Sequence, residues 1–283
     1  MHVEKAAGSC GAYVTGLDLA RELDDAVLSG LRRALLDHLV VALPDQAMSL
    51  DDLERLTDRL GGRDVTPFVK PLPGRPYVIR ILKEKDDKLN FANAWHTDLS
   101  YLAAPPDFTL LYCLEAPPSG GDTIWANQYM AYKTLSPGLR ETLRGLDAVH
   151  SAGMAYGDGG YLDGVKHLMS TEIAPSPEAR REETHPAIIA HRETGRPALY
   201  VNPVYTTRIA GWSQAESQGL LGHLHKHAVN ENFTWRLRWS KGMLAIWDNR
   251  CTQHFAMNDY HGQRREMVRT SVKGAKPERA AAS

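Results

Sequence analysis

Cysteine is scarce in this 283-residue chain, which has only Cys10, Cys113 and Cys251. Three widely spaced thiols, an odd number, argue against a disulfide framework and for a reducing compartment. An excess of either charge is missing too. The formal net charge is −1, without a basic or acidic block, so neither nucleic acid nor a membrane is an expected partner. No stretch approaches the ~20 apolar residues of a membrane span, and Met1–Cys10 lacks an apolar core of signal-peptide length. These absences together predict a cytoplasmic protein. The chain also lacks internal repeats and low-complexity tracts. Without a Gly-x-Ser-x-Gly elbow, a P-loop or a Gly-x-Gly-x-x-Gly turn, there is no support for a serine hydrolase, an NTPase or a dinucleotide enzyme.

What is present is a globular composition, 43% hydrophobic and 24% charged, enough for one large β-rich domain over residues 1–283. Gly11–Leu19 reads as a short strand. A helix opening near Asp24 places Val27, Leu28, Leu31, Leu35 and Leu39 at a period near 3.6. Val40–Leu43 is a buried strand ended by Pro44. Ser49 is an N-cap for a helix through Leu60, stopped by Gly61-Gly62. Beyond residue 75 strands dominate: Tyr77–Leu82, Phe108–Leu114, Asp122–Ala126, a hairpin of Ala187–His191 with Ala198–Asn202, then Phe233–Trp239, Met243–Trp247 and Met267–Val272. Helices are expected at Gln128–Leu135, Pro137–Leu146 and Ser213–Val229. Residues 153–185 read as an irregular active-site lid, interrupted by Gly157-Asp158-Gly159-Gly160. The tail 274–283 reads as loose. The pattern predicts a mainly β fold with flanking helices, a jelly roll that brings distant strands together at its mouth.

The chemistry is concentrated in Ala94-Trp95-His96-Thr97-Asp98-Leu99-Ser100-Tyr101. Read as an extended strand, this puts His96 and Asp98 on one face. A distant histidine is needed to complete a metal site, and His254, in Trp247-Asp248-Asn249-Arg250-Cys251-Thr252-Gln253-His254, is the candidate. Two histidines and a carboxylate are the facial ligand set of non-haem Fe(II) oxygenases. The tripeptide alone is weak evidence: with 12 histidines, about one His-x-Asp arises by accident. Arg265 and Arg269, four residues apart, share a strand face. An inward arginine implies an anion, and its fork fits a carboxylate or sulfonate. A pair of surface arginines on an edge strand has the same spacing. Thr123 offers a hydroxyl to the same anion, or is a plain strand threonine. His223 and His227 share a helix face; a solvated face is the ordinary explanation, a structural metal site the rarer one.

These stretches run in a recognisable order. Gly11–Asp18, Trp95–Asp98, Ser119–Trp125, Tyr205–Ile209, Trp247–His254 and Gln263–Arg269 together resemble the taurine dioxygenase family of Fe(II)/2-oxoglutarate-dependent oxygenases, over nearly the whole chain. The resemblance implies a double-stranded β-helix. It implies that His96, Asp98 and His254 hold Fe(II), and that Arg265, helped by Thr123, pairs with the distal carboxylate of 2-oxoglutarate. It further implies that Arg269 meets the acidic group of the substrate, with Tyr205 and the backbone near Leu99 bordering that pocket. The reaction implied consumes 2-oxoglutarate and O2, releases succinate and CO2, and hydroxylates a substrate C–H. Asp98 fills the position that a halide would need in a halogenating relative.

The chain departs from the taurine-specific pattern. Asp64-Val65-Thr66-Pro67-Phe68-Val69 has neither the histidine nor the tyrosine expected there, so Thr66 and Phe68 make a less basic wall. A small, less polar anion of the sulfonate, alkylsulfate or aryloxyalkanoate class is expected rather than taurine, bound by a homo-oligomer. Two alternatives are a metal-dependent hydrolase or isomerase that needs no 2-oxoglutarate, and a non-catalytic barrel that binds no iron.

Overall fold

The computed structural model describes residues 1–281. Its centre is an antiparallel ribbon of three long strands. Arg265–Val272 pairs with Phe108–Glu115 on one side and Arg75–Lys83 on the other. Leu244–Asp248, Val40–Leu43, Ala12–Thr15 and His2–Lys5 extend this sheet in one direction, Pro71–Leu72 in the other. Facing it is a smaller sheet of Thr234–Leu237, Thr123–Asn127 and Thr252–Ala256. Two further three-stranded sheets complete a mainly β jelly roll, the double-stranded β-helix expected from the sequence.

Strand alternation builds two cores from single strands. Val40 and Ala42 point between the sheets, with Leu111, Met267, Trp125 and Trp247. Val41 and Leu43 point outward and meet the two N-terminal helices through Leu31, Leu35, Leu53, Leu56 and Leu60. The helices start where their caps predict. Asp24 accepts from the Val27 N–H ahead of Asp25–His38. Ser49 and Asp52 form a reciprocal capping box ahead of Leu50–Leu60. Ser213 and Glu216 do the same for Gln214–Ala228.

Two expectations need correction. Residues 153–185 are not irregular: they contain the helices Gly153–Tyr156 and Tyr161–Val165, two 3-10 turns and the start of the strand Glu182–Pro186. The glycines there serve a close turn, since a Cβ on Gly157 would lie 2.5 Å from the Gly153 carbonyl oxygen. The tail is not loose either. Glu278–Arg279 pairs with Ile188–Ala190, and Gly274 passes so near Pro105 that a Cβ would meet its carbonyl oxygen at 1.8 Å. Only residues 282 and 283 of the expected tail lie outside the described residues.

Candidate metal centre

His254 is the central residue of Thr252–Ala256, an edge strand of the smaller sheet, where it pairs with Trp125. His96 is bound directly opposite by two backbone hydrogen bonds, His96 N–H to His254 O at 3.1 Å and His254 N–H to His96 O at 2.8 Å. This single bridge holds the two rings with their centroids 4.1 Å apart. After it the chain turns instead of continuing as a strand. Leu99 has φ +51°, and the Leu102 N–H bonds back to the Leu99 carbonyl. The turn brings the Asp98 carboxylate back beside the histidines, so the two groups share a side for a reason other than strand alternation.

The three ligand atoms converge. Asp98 Oδ1 lies 3.6 Å from His96 Nε2 and 3.9 Å from His254 Nε2. Adjacent ligands of an octahedral ion lie about 3 Å apart, so a metal fits with a small contraction. The donor chemistry fits as well. His96 Nδ1 is 2.7 Å from the Ala94 carbonyl oxygen, an acceptor, which fixes the proton on Nδ1 and leaves the Nε2 lone pair facing inward. Burial first, then the neighbouring His96, keeps His254 neutral well below the usual imidazole range. Burial opposes ionisation of Asp98, but its polar surroundings, the Arg269 guanidinium first among them, outweigh it and hold the carboxyl far below the usual range.

Behind the triad is a small cavity bordered by Thr123, His254, Arg265, Arg269, Leu111 and Trp247. Arg265 and Arg269 are each only 4% exposed, and they share the inner face of one strand as their spacing predicts. Val268 on the opposite face joins the outer core, while Arg264 reaches Glu84, Glu115 and Glu266. Arg269 Nη1 donates to Asp98 Oδ1 at 3.0 Å. Arg265 has no hydrogen-bond partner at Nε or Nη2, and burial lowers its pKa. A buried guanidinium with open donors is incomplete without an anion. Thr123 Oγ1 borders the same cavity and accepts from Trp239 Nε1 at 2.9 Å.

In front of the triad a larger cleft, with a cavity volume of about 120 Å³, reaches His96. Its walls are mainly apolar and aromatic, among them Phe91, Tyr156, Tyr161, Leu162, Met169 and Tyr205. Tyr205 also sets its ring edge-on to His96 at 6.2 Å. Leu99, Thr66 and Phe68 border neither cavity. Phe68 instead packs behind Tyr101 and Tyr156, at 5.8 and 5.7 Å. The wall they were expected to form is made by Tyr156, Tyr161, Leu162 and Met169 from the 153–185 segment, whose register the sequence does not fix. His227 Nε2 is satisfied by the Ala131 carbonyl at 2.8 Å, and the described residues place neither it nor His223 in a metal-sized cluster. A second cluster, His191, Asp248 and Cys251, is already internally paired. Asp248 receives His191 at 2.9 Å and Arg250 at 2.8 and 2.7 Å, an arrangement that ties down the turn leading into His254.

With the geometry in place, comparison with known proteins decides the family. A family model described as taurine catabolism dioxygenase TauD, TfdA family, matches residues 2–271. The chain belongs to this family. It is 33% identical over 276 residues to an alkylsulfatase of Acinetobacter baylyi, covering 97% of this chain and 85% of that one. It is 34% identical over 284 residues to an alpha-ketoglutarate-dependent sulfate ester dioxygenase of Pseudomonas putida, covering 98% and 91%. The fold superposes on the crystal structure of a taurine dioxygenase from Burkholderia xenovorans with a TM-score of 0.80 and 30% identity, over 98% and 92% of the two chains. The protein is therefore a 2-oxoglutarate-dependent dioxygenase of the TauD/TfdA family, using Fe(II), 2-oxoglutarate and O2 on a small-molecule substrate.

Proposed function

We propose that this dioxygenase hydroxylates an anionic substrate with an apolar body, of the alkylsulfate, sulfonate or aryloxyalkanoate class, with His96, Asp98 and His254 as the Fe(II) ligands. The observation that carries the reading is the position of the triad between two unlike chambers. One is a cation-lined cavity and the other an apolar cleft. Arg265 fits the role of clamp for the distal carboxylate of 2-oxoglutarate, because two of its buried donors have no other partner. Thr123 adds a hydroxyl donor beside it. The same open guanidinium argues against a hydrolase or isomerase that uses no keto acid.

The bound iron, with 2-oxoglutarate and O2, supplies the oxidising chemistry, and the chain supplies placement. His96 and His254 present neutral nitrogens, and Asp98 an anionic oxygen, from a pocket that excludes water. Arg269, held on Asp98 beside the iron site, is assigned the substrate's acidic group, as the family resemblance implies. Tyr205 and Tyr156 pack against the apolar part. Hydroxylation of a carbon bonded to a sulfate or ether oxygen gives a product that fragments, and at a C–S carbon it releases sulfite. The 153–185 segment forms the outer wall and serves as the lid. Phe68 acts behind that wall, shaping it through Tyr101 and Tyr156.

The alkylsulfatase and sulfate ester dioxygenase relatives support the sulfate branch. The apolar and aromatic lining of the cleft supports a substrate less polar than taurine. Succinate release measured against a panel of sulfonates, alkylsulfates and aryloxyacetates tests this, and best turnover with taurine would reject it. A cytoplasmic location belongs to the same proposal, supported by three buried free cysteines and by the absence, among the described residues, of a helix long and apolar enough to cross a membrane. A homo-oligomer is also proposed, and light scattering of the purified chain measures it.

A further inference from the structure

The two oxygens of Asp98 have different surroundings. Oδ1 faces both histidines and accepts from Arg269. Oδ2 faces away and accepts from Thr109 Oγ1 at 2.8 Å. Thr109, fully buried, itself accepts from Asn249 Nδ2 at 2.8 Å. Asn249 Oδ1 in turn accepts from Trp247 Nε1 at 3.0 Å. Four buried side chains thus form one hydrogen-bonded row ending on the proposed metal ligand.

The direction of every proton in that row is determined. An indole N–H can only donate, so the Asn249 atom facing Trp247 is its oxygen. The amide nitrogen must then face Thr109, and an NH2 can only donate. The Thr109 oxygen is thereby the acceptor, and its one proton is directed at Asp98, which as a carboxylate can only accept. The Asn249 backbone is fixed as well, since its N–H bonds to the Asp107 carbonyl at 2.9 Å.

We propose that Trp247, Asn249 and Thr109 are positioning residues that hold Asp98 Oδ2 off the metal and leave Oδ1 as its single coordinating oxygen. This rests on the reading of His96, Asp98 and His254 as the iron ligands. Coordination counting gives the reason for such a device. Two histidines and a bidentate carboxylate would take four of the six positions of an octahedral ion, leaving only two for the keto acid and O2 together. A carboxylate limited to one oxygen keeps the sixth position open. Groups of this kind, which orient a ligand without touching the metal, typically change metal affinity 10–100-fold when removed.

The test is Mn(II) titration of the purified full-length protein, followed by calorimetry, for wild type, Thr109→Val, Thr109→Ser and Asn249→Leu. Urea midpoints are taken alongside to confirm folding. Valine keeps the shape of threonine and loses the donor, whereas serine keeps the donor and loses a methyl group. The relay predicts Mn(II) affinity shifted about 10–100-fold from wild type in Thr109→Val, near wild type in Thr109→Ser, and shifted in the same direction in Asn249→Leu with no further shift when the two are combined. A packing role predicts the opposite order, with serine further from wild type than valine. Wild-type affinity in Thr109→Val, or a serine variant further from wild type than the valine variant, would overturn the relay while leaving the ligand set intact. A wild-type protein that binds no Mn(II) would overturn the ligand reading, and the relay with it.

Discussion

Replacing Arg265 with methionine should stabilise the ligand-free protein and abolish its response to 2-oxoglutarate. The guanidinium is 4% exposed, lies 5.7 Å over the Trp239 ring, and has no partner at Nε or Nη2. An unpaired buried donor costs about 1–3 kcal/mol. Losing the contact with Trp239 gives back roughly 0.5–1 kcal/mol of that. The balance is a gain of up to about 2.5 kcal/mol for Arg265→Met, or a rise in melting temperature of up to roughly 10 °C for a domain of this size. With Mn(II) present and 2-oxoglutarate at 100 times its Kd, the wild type gains about 2.7 kcal/mol. Removing one partner of a buried charge pair costs about 2–5 kcal/mol, so the variant gains almost nothing at that concentration. The order of the two melting temperatures should therefore reverse on adding 2-oxoglutarate. An Arg265→Met protein that is less stable without ligand, yet still responds to 2-oxoglutarate, would refute the argument that this side chain waits for an anion.

Three other outcomes follow from the structure. Burial, with help from His185 and His225, pushes His150 down to about 3, and burial pushes His225 down to about 4. Both stay neutral in the folded state while the unfolded chain takes up protons near pH 6.5. Their contribution is thus complete above pH 6.5 and is lost as pH falls toward 4, at up to about 1.4 kcal/mol per pH unit for each group. A urea midpoint that stays flat between pH 7.5 and pH 5 contradicts this. Trp239→Phe removes the donor to Thr123 and should raise KM for 2-oxoglutarate about 2–10-fold, the range of one hydrogen bond, with kcat little changed; an unaltered KM counts against a role for Thr123. Tyr161, 63% exposed at the cleft mouth, should matter only to the primary substrate. Tyr161→Ala is expected to raise KM for long-chain anions and leave KM for 2-oxoglutarate unchanged, and steady-state kinetics with each varied in turn separates the two.

The elements that local chemistry specifies were legible in the sequence. Asp24, Ser49 and Ser213 each cap a helix where a capping residue precedes an apolar period. Arg265 and Arg269 share a buried face because they lie four apart in a strand, which is how they were read. His96 and Asp98 do share a side, but through a turn with Leu99 at positive φ, which no periodicity announces. Asp147–Ser151, Glu182–Pro186 and Thr206–Ile209 form a sheet that the sequence hid, because short strands with polar outward residues resemble loops.

The site itself divides in the same way. The ligands and Arg265 were legible because their stretches, taken together and in order, resemble the taurine dioxygenase family; the spacing of each alone was weak. Thr109 could have been noticed as the one polar residue in the apolar run Phe108–Leu114. Its meaning depends on Asn249, 140 residues away in sequence, and only pairing of Phe108–Glu115 with Leu244–Asp248 brings the two together. Thr66, Phe68 and Leu99 were placed on the cleft wall by motif order. The two-helix 153–185 segment occupies that wall instead, since Tyr156 and Tyr161 project from it into the cleft.

The account depends most on the convergence of His96, Asp98 and His254 on one iron that also takes a keto acid. Anaerobic addition of Fe(II) and then 2-oxoglutarate, watched for the visible charge-transfer band of the chelate, tests it directly. The band should develop to one equivalent in the wild type and be absent in a folded His254→Ala variant. A wild type that shows no band, or a His254→Ala protein that shows the same one, would contradict the account.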